Sequence, residues 1–332
     1  MRNEMKFCSI KHKPSILFVL SVDTEEEWDW SGSFPKEKFS VKNTRYIPEF
    51  QEFCEGLGIR PTYFIDYAVA DDLESVAYLK ATLDRDKCEI GGHLHPWCTP
   101  PIEEDISDHD NSLIVNLPVD LVEKKLDSLN AKLENVFDKK PVSFRSGRWD
   151  INGSVLTLLA NRGYTIDSSI HPYFSYDYSP DIPFWPDYED CAIEGNQREI
   201  YEIPITAGYN FPDFPFWHRL YLALSTSFLK HFRVIGILWK LGIMRKIHLT
   251  PELATSENMV KLVKAAIKKE HRVIHMFFHS SSLMPGASPY VKNTSDKEKL
   301  YQKIKEVFSY LQENTDVQCC TLEEASKILK QR

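Results

Sequence analysis

Residues 15–28 read SILFVLSVDTEEEW, and this stretch decides how the rest of the chain is interpreted. It opens with a largely apolar run, which predicts a buried strand, and the run ends abruptly in a group of carboxylates. Parallel α/β barrels concentrate their active groups at this carboxyl rim of the strands. Alternate side chains of an extended chain share a face, so Asp23 and Glu25 should point the same way. A solvated acidic turn is the alternative, and for Glu26 and Glu27 we prefer it.

The same succession of a short apolar run and an amphipathic stretch repeats along the chain, which predicts strands alternating with helices around one core. The predicted strands are Ser15–Val22, Arg60–Ile65, Cys88–Gly91, Val142–Arg145, Arg198–Thr206 and Arg272–His279. The predicted helices are Asn43–Leu57, Asp120–Phe137, Gly153–Asn161, Ser295–Gln312 and Leu322–Leu329, with a further strand at Val317–Cys320. No repeat or linker marks a boundary, so we predict one α/β domain over residues 1–332.

Two segments break this pattern. Tyr173–Pro186 is crowded with proline and aromatic residues, which favours an ordered loop over the end of a barrel. Phe216–Ile247 is apolar and aromatic but interrupted by basic residues, so no part of it reaches the roughly 20 apolar residues of a membrane span. We predict an insertion of one or two helices over residues 216–247. A buried cap is the favoured role for it, and peripheral contact with a membrane surface is the alternative.

Composition narrows the partners and the compartment. The chain has a formal net charge of -8 and no long basic stretch, so nucleic acid is not an expected partner. It has seven cysteines, an odd number with no Cys-x-x-Cys pair, which favours reduced thiols and a cytoplasmic location. The first apolar run leads into Asp23 rather than into a small-residue cleavage site, so we interpret it as a strand and not as a signal peptide.

A second candidate cluster is EIGGHLHPW at residues 89–97. The glycines at 91 and 92 would allow a sharp turn, and His93 and His95 face the same way if the chain after them is extended. Two neutral imidazoles in this arrangement are suited to a borderline ion such as zinc. The alternative is that one of the two histidines is merely packed in the core.

Three further motifs follow predicted strands. In VSFRSGRW at residues 142–149, Arg145 or Arg148 could orient a carboxylate or bind substrate oxygens, and a surface salt bridge is the alternative. Asp167, in TIDSS at residues 165–169, could fix Arg145. His279 directly follows the strand at residues 272–278, the position expected for a proton donor, whereas His275 within that strand is better explained as a core histidine.

Taken in chain order, these motifs resemble those of the NodB-type polysaccharide deacetylases, and most of all their cytoplasmic relatives associated with surface-polysaccharide gene clusters. The likeness runs from about Ile16 to Leu329 without the insertion. It implies an irregular (β/α) barrel, to which this chain adds the helical insertion, a divalent zinc-like metal ion, for which we expect zinc, and hydrolysis of N-acetyl groups from amino sugars.

The resemblance also implies a role for individual residues. Asp23 matches the catalytic base, His93 the first metal histidine, Arg145 the arginine of the third motif and His279 the catalytic acid. Asp167 falls in the region of the aspartate that orients the base and the arginine.

Two positions depart from the family pattern. The family's first motif usually has a second aspartate that binds the metal, and Thr24 stands there; its second histidine usually comes four residues after the first, where this chain has Trp97. We therefore predict Glu25 and His95 as the replacement metal ligands, provided that the chain after Gly92 is extended.

The expected function is a metal-dependent carbohydrate deacetylase acting on an N-acetylated sugar or a surface-polysaccharide precursor. Arg148, Trp97 and Trp149 are the residues predicted to contact the substrate. An amidase acting on a small linear or cyclic amide is one alternative, because the same centre would serve any planar C–N bond. A non-catalytic member that binds glycan is the other, and the two altered motifs are its motivation.

Overall fold

The computed structural model describes residues 13–30, 34–35, 37–105, 109–174, 191–195, 198–226 and 233–331. Eleven strands lie within these ranges: β1 (Ser15–Thr24), β2 (Thr62–Ile65), β3 (Glu89–Leu94), β4 (Ser143–Ser146), β5 (Ile166–Asp167), β6 (Cys191–Gly195), β7 (Arg198–Glu202), β8 (Ala207–Tyr209), β9 (Lys246–His248), β10 (Val273–His279) and β11 (Asp316–Cys319). The same ranges contain ten α-helices: α1 (Ile47–Leu57), α2 (Tyr67–Asp71), α3 (Leu73–Leu83), α4 (Val119–Phe137), α5 (Gly153–Asn161), α6 (Phe214–Thr226), α7 (Val234–Lys240), α8 (Ser256–Lys268), α9 (Thr294–Asn314) and α10 (Leu322–Lys330).

One curved sheet organises the chain, with parallel strands in the order β10-β1-β2-β3-β4-β5-β7. β11 runs parallel to the first half of β1, and β6 pairs antiparallel with β7. On the far side, the backbone N–H of Thr206 donates to the carbonyl of His275 at 2.9 Å, and that of Phe277 donates to the carbonyl of Leu249 at 3.2 Å. These contacts link the chain after β7 to β10, so the sheet bends into the predicted irregular (β/α) barrel.

Parallel register brings the candidate residues to one rim. Asp23 lies beside His279 of β10 on one side and Phe64 of β2 on the other, and His93 lies beside Arg145. All of these positions are at or near the carboxyl ends of their strands. The expectation that the motifs converge at this end of the barrel is therefore confirmed.

The pair of glycines in β3 has a different purpose from the one we predicted. Gly91 and Gly92 lie inside the strand and form no turn. A Cβ added at Gly91 would approach the Phe64 ring to 2.6 Å, and one at Gly92 would approach the Tyr164 hydroxyl to 2.5 Å. Glycine is needed there because neighbouring side chains pack directly on the backbone. The extended chain continues past Gly92, as the placement of His95 requires.

The insertion contains the predicted helices, α6 and α7, but its predicted end was wrong. Residues 246–248 form β9, which pairs with β8, so residues 246 and 247 belong to a small second sheet. The predicted cap is met in part: His218 of α6 is buried and Ile235 and Leu238 of α7 pack against the core, although no residue of α7 is fully buried. The predicted loop at 173–186 lies outside the described residues beyond Phe174.

Candidate metal centre and active site

Three side chains meet at the rim of the barrel. Glu25 directly follows β1, His93 lies in β3 and His95 follows β3, and each residue is at most 2% exposed. The Oε2 atom of Glu25 lies 3.4 Å from Nε2 of His93 and 3.3 Å from Nε2 of His95. The structure therefore brings together the three residues that the sequence predicted as ligands.

The donor atoms of this group fit a metal ion. Within the described part of the chain, Glu25 Oε1, His93 Nε2 and His95 Nε2 are buried and have no hydrogen-bond partner, which is costly unless something else binds them. Zinc bonds of about 2.0–2.1 Å in a tetrahedron would hold ligand atoms about 3.4 Å apart. Oε2 of Glu25 lies 3.4 and 3.3 Å from the Nε2 atoms of His93 and His95, close to that separation. One carboxylate and two imidazoles, with a position left open, is also a donor set that catalytic zinc sites use.

Hydrogen bonds fix both imidazoles in the orientation that a metal requires. Nδ1 of His93 lies 2.9 Å from the carbonyl oxygen of Arg145, so this nitrogen carries the proton and donates it. Nδ1 of His95 lies 3.0 Å from Oε2 of Glu26, which fixes the same tautomer. Each Nε2 therefore turns its lone pair toward Glu25.

Glu26 was predicted to be solvated, and this was wrong. It is fully buried and accepts hydrogen bonds from His95 and from the indole N–H of Trp97. Glu26 is thus a carboxylate that orients the imidazole of His95.

Trp97 must be reassigned for the same reason. It is 1% exposed, stacks on the His95 ring at a centroid distance of 4.2 Å and donates to Glu26. Trp97 therefore supports His95 and offers no face to a substrate. A second compact group of side chains also has atoms that can bind a metal: Glu26, Asp66, His95 and Cys98. The two carboxylates of this group already accept hydrogen bonds, Glu26 from His95 and Asp66 from the backbone N–H groups of Glu26 and Val69.

Asp23 and Arg145 form a buried ion pair beside the histidines. Nη1 of Arg145 donates to Oδ1 of Asp23 at 2.5 Å, and both side chains are at most 2% exposed. The guanidinium is held in turn by the carbonyl and the hydroxyl of Ser168, at 3.0 and 2.9 Å. Nδ1 of His275 donates to the carbonyl oxygen of Pro204 at 3.2 Å, and its Nε2 accepts from the Ser21 hydroxyl at 2.8 Å. The side chain is fully buried, as the sequence predicted for a core histidine.

Asp167 does not fix Arg145 in the way that we expected. Its carboxylate accepts from the hydroxyl of Ser169 at 2.7 Å and lies beside Glu202. Alternation along the chain explains the error, because consecutive residues point to opposite sides and Ser168, not Asp167, faces the guanidinium. Burial raises the pKa of Asp167.

His279 has a partner that the sequence did not reveal. Nδ1 of His279 donates to Oε2 of Glu252 at 2.9 Å, while Nε2 faces Oδ2 of Asp23 at 3.8 Å. Burial would lower the pKa of His279, but the charge and the hydrogen bond of Glu252 raise it to about 9. The imidazole is therefore protonated at neutral pH, as a proton donor must be.

The remaining predicted residues lie around the centre. Trp149, with a φ of +60°, covers Arg145, whose guanidinium carbon is 4.8 Å from the ring centroid. Arg148 donates to the hydroxyl of Ser112 at 2.7 Å and lies 5.4 Å from the ring centroid of Phe34. Both side chains are half-buried at the rim, so their predicted contact with a substrate stays a prediction.

Gly147 is a site residue that sequence reasoning missed. A Cβ at this position would lie 1.9 Å from Cδ2 of His95. The turn after β4 therefore has to be glycine for His95 to occupy its place. No local pattern could have indicated this, because the contact joins two separate motifs.

No protein-family model matches the sequence, and no curated protein matches it either. Several solved structures do match this chain. A protein from Mycobacterium smegmatis described as a polysaccharide deacetylase superimposes with a TM-score of 0.56 at 14% identity, over 97% of this chain and 92% of its own. The allantoinase PuuE superimposes with a TM-score of 0.52 at 10% identity, over 95% of this chain and 90% of its own. The 4-alpha-glucanotransferase of Thermococcus litoralis superimposes with a TM-score of 0.50 at 12% identity, over 94% of this chain and 40% of its own.

The chain therefore has the barrel fold of the polysaccharide deacetylases, and the resemblance predicted from its motifs is confirmed at the level of the fold. Identities this low define the architecture and leave the activity to be argued from the site.

Proposed function

We propose that this protein is a metal-dependent hydrolase that removes an N-acetyl or related acyl group from an amino sugar, with zinc as the ion. The observation that carries the proposal is the set of three buried, unpartnered donor atoms on Glu25, His93 and His95, adjacent to a carboxylate held by Arg145. Glu25, His93 and His95 would hold the ion. When bound, it supplies Lewis acidity, which lowers the pKa of water and stabilises negative charge on the acyl oxygen.

Asp23 acts as the base. Arg145 occupies Oδ1 of its carboxylate at 2.5 Å, so Oδ2 is left to take the proton from the attacking water. The arginine fixes the direction of that oxygen. A base must be held within hydrogen-bond reach of the proton that it removes, and this ion pair provides the orientation.

His279 acts as the acid. Its Nε2 faces the carboxylate of Asp23 across the reaction space at 3.8 Å, while Glu252 holds the other ring nitrogen and keeps the imidazole protonated. Proton donation to the nitrogen of the cleaved bond lets the amine leave. The proposed base and acid thus lie side by side on the neighbouring strands β1 and β10.

Release of acetate from a panel of N-acetylated sugar nucleotides and glycans, with and without a chelator, tests the proposal. We expect acetate release from at least one member, loss of that activity with the chelator and recovery on adding zinc. Hydrolysis that persists unchanged after complete metal removal would refute the metal-dependent mechanism. Absence of acetate release from every member by zinc-loaded protein would refute the deacetylase.

An amidase acting on a small amide is the second candidate, because the barrel is shared with a protein described as an allantoinase. The cavity beside His279 is open to solvent, which suits a sugar better than a small enclosed amide. Activity on small amides but on no sugar in the same panel would favour the amidase. Zinc binding without either activity would favour the non-catalytic, glycan-binding alternative.

The compartment also remains a proposal. The described cysteine side chains at positions 54, 88, 98, 319 and 320 are free thiols, as expected for a protein that works in the cytoplasm. Labelling of the thiols in intact and lysed cells tests this, and disulfide-linked protein isolated from cells would argue against it.

A further inference from the structure

A cavity of about 650 Å³ lies beside the proposed acid. One wall is formed by Trp28, Asp29 and Trp30, which follow the carboxylates of the first motif, and the other by residues 286–290, which follow β10. Neither the proposed metal ligands nor the proposed base and acid line it.

Aromatic rings connect the cavity to the active site. The Trp30 ring meets the His279 imidazole edge-on at a centroid distance of 4.7 Å and the Tyr290 ring at 5.5 Å. Trp28 stacks on Trp30 at 5.2 Å with an interplanar angle of 12°. A ligand lying in the cavity would therefore reach the side of the site at which the leaving amine receives its proton.

The two tryptophans also have unsatisfied donors. The indole N–H groups of Trp28 and Trp30 are buried, and neither has an acceptor anywhere in the described ranges. Buried tryptophan N–H groups usually have a hydrogen-bond partner. A ligand rich in oxygen acceptors would satisfy them.

We propose that this cavity binds the sugar ring that bears the departing amine. The inference rests on the proposed function, because His279 can protonate that amine only if the sugar lies next to it. The apolar face of a pyranose ring suits an aromatic wall, and its hydroxyl oxygens suit the indole donors. Trp28, Trp30 and Tyr290 therefore determine which sugar is accepted, while Glu25, His93 and His95 do not.

Sugar binding by a catalytically inactive variant separates this inference from the proposed function. In the Asp23→Asn background, titration with di-N-acetylchitobiose is expected to give an affinity that Trp30→Leu weakens about tenfold. Tyr290→Ala, on the opposite wall, should weaken it as well. Trp239→Leu, at an exposed tryptophan outside the cavity, is the matched control and should bind as the parent does.

The two claims fail in different ways. Acetate release by the wild-type protein together with unchanged sugar affinity in both wall variants would overturn the cavity assignment alone. Sugar binding lost in the wall variants, with no acetate release by the wild type, would overturn the deacetylase and leave the cavity assignment standing. Circular dichroism of each variant shows whether a lost affinity reflects a lost fold. If one wall variant does not fold, the sugar affinity of the other wall variant decides whether the cavity binds the sugar.

A separate observation concerns the insertion. Six of the eleven exposed large hydrophobic side chains among the described residues lie between positions 216 and 243: Phe216, Leu222, Ile237, Trp239, Leu241 and Ile243. We call this set the insertion surface. In α7, Ile235 and Leu238 pack against the edge of the core, but Ile237 and Trp239 are about half exposed, and packing in this chain does not explain them.

The charge of the same segment is equally uneven. Residues 214–251 contain no Asp or Glu but six Lys and Arg, within a chain whose net charge is -8. Arg219, Arg233 and Lys240 are exposed among the apolar residues. Exposed apolar side chains mixed with basic ones match an anionic lipid surface, which offers acyl chains and phosphates together.

We propose that the insertion surface lies on an anionic membrane surface. None of the described helices is long and apolar enough to cross a bilayer, and α6 and α7 span only 13 and 7 residues, so they would rest in the headgroup region. Contact of this kind is electrostatic as well as apolar, and therefore depends on lipid charge and on salt.

Co-sedimentation of the full chain with vesicles tests this second inference. We expect binding to vesicles of phosphatidylcholine with 30% phosphatidylglycerol, with at least a tenfold loss on pure phosphatidylcholine or in Arg233→Glu/Lys240→Glu. Trp239→Leu should also weaken binding, whereas Trp30→Leu, in the cavity, should not. Equal binding to both kinds of vesicle would overturn the inference. It would also be overturned if the protein stayed in solution with every vesicle and the insertion variants changed its oligomeric state instead.

Discussion

Two buried glutamates at opposite ends of the barrel have opposite surroundings. Glu89 begins β3 and is 3% exposed; its oxygens accept from the Ser143 hydroxyl at 2.5 Å, the Thr62 hydroxyl at 3.1 Å and the backbone N–H of Glu323 at 2.9 Å. Glu25 follows β1 and is 2% exposed, yet its Oε1 has no partner within the described residues.

The difference distinguishes a structural carboxylate from a functional one. Glu89 joins β2, β3, β4 and the first turn of α10, so its hydrogen bonds stabilise the amino end of the barrel. Glu25 is buried beside two imidazoles whose Nε2 atoms likewise have no hydrogen-bond partner among the described residues. Burial without partners is a cost that a bound ion removes. In barrels of this kind the carboxyl end carries function and the other end carries stability.

The largest effect should come from the base. Asp23→Asn keeps an oxygen for Arg145 but cannot accept a proton, so kcat/KM for acetate release should fall about 10²- to 10⁴-fold. Metal content, measured by plasma mass spectrometry, should stay at the wild-type level. Activity within a few-fold of wild type would remove Asp23 as the base.

A smaller effect is expected from the carboxylate behind His95. Glu26→Gln weakens the acceptor that orients the imidazole, and loss of such an outer partner typically lowers metal affinity about 10- to 100-fold. Competition with a chromogenic chelator measures it. Glu27→Gln is the matched control, because that carboxylate bonds Ser40 and Asn43; equal losses in the two variants would contradict the assignment.

The partner of the acid should control the alkaline limb of the pH profile. His279 acts when protonated, and its pKa is raised to about 9, so kcat/KM should fall as the pH rises through that value. Glu252→Gln removes the charge that raises the pKa, so the limb should move about one to two units toward the ordinary histidine value. An unmoved limb in this variant would mean that another group titrates.

The smallest effect concerns the other end of the barrel. Glu89→Gln should lower the free energy of unfolding in urea by about 1–3 kcal/mol, because hydroxyl and N–H donors lose part of their acceptor. Zinc affinity and kcat should equal those of the wild type. A change in zinc affinity in this variant would contradict the assignment of Glu89 to stability and Glu25 to function.

The sequence predicted what depends on local alternation. Asp23, Glu25, His93 and His95 converge because each strand is extended and parallel strands end at one rim, and both conditions can be inferred from apolar runs. What depended on packing between distant segments could not be inferred. Glu26 is buried because the side chains of residues 95 and 97 pack against it. Its neighbours in the sequence are acidic, which favours a solvated turn, so the burial could not be inferred from them.

Glu252 and the strand glycines illustrate the same limit. Glu252 lies in the connection between β9 and α8 with no motif around it. It meets His279 only because the chain after β9 runs beside β10, where the N–H of Phe277 donates to the carbonyl of Leu249. Gly91 and Gly92 suggested a turn, whereas their actual role is to admit Phe64 and Tyr164. Residue type indicated that these positions are special, and only the fold shows why.

The most direct measurement is the zinc stoichiometry of protein stripped with chelator and dialysed against zinc. The wild type and Glu89→Gln should each bind one ion per chain, while Glu25→Gln/His93→Gln should bind none at the same free zinc concentration. Full occupancy in the double variant, or no bound zinc in the wild type, would contradict the assignment of Glu25, His93 and His95 as the metal centre.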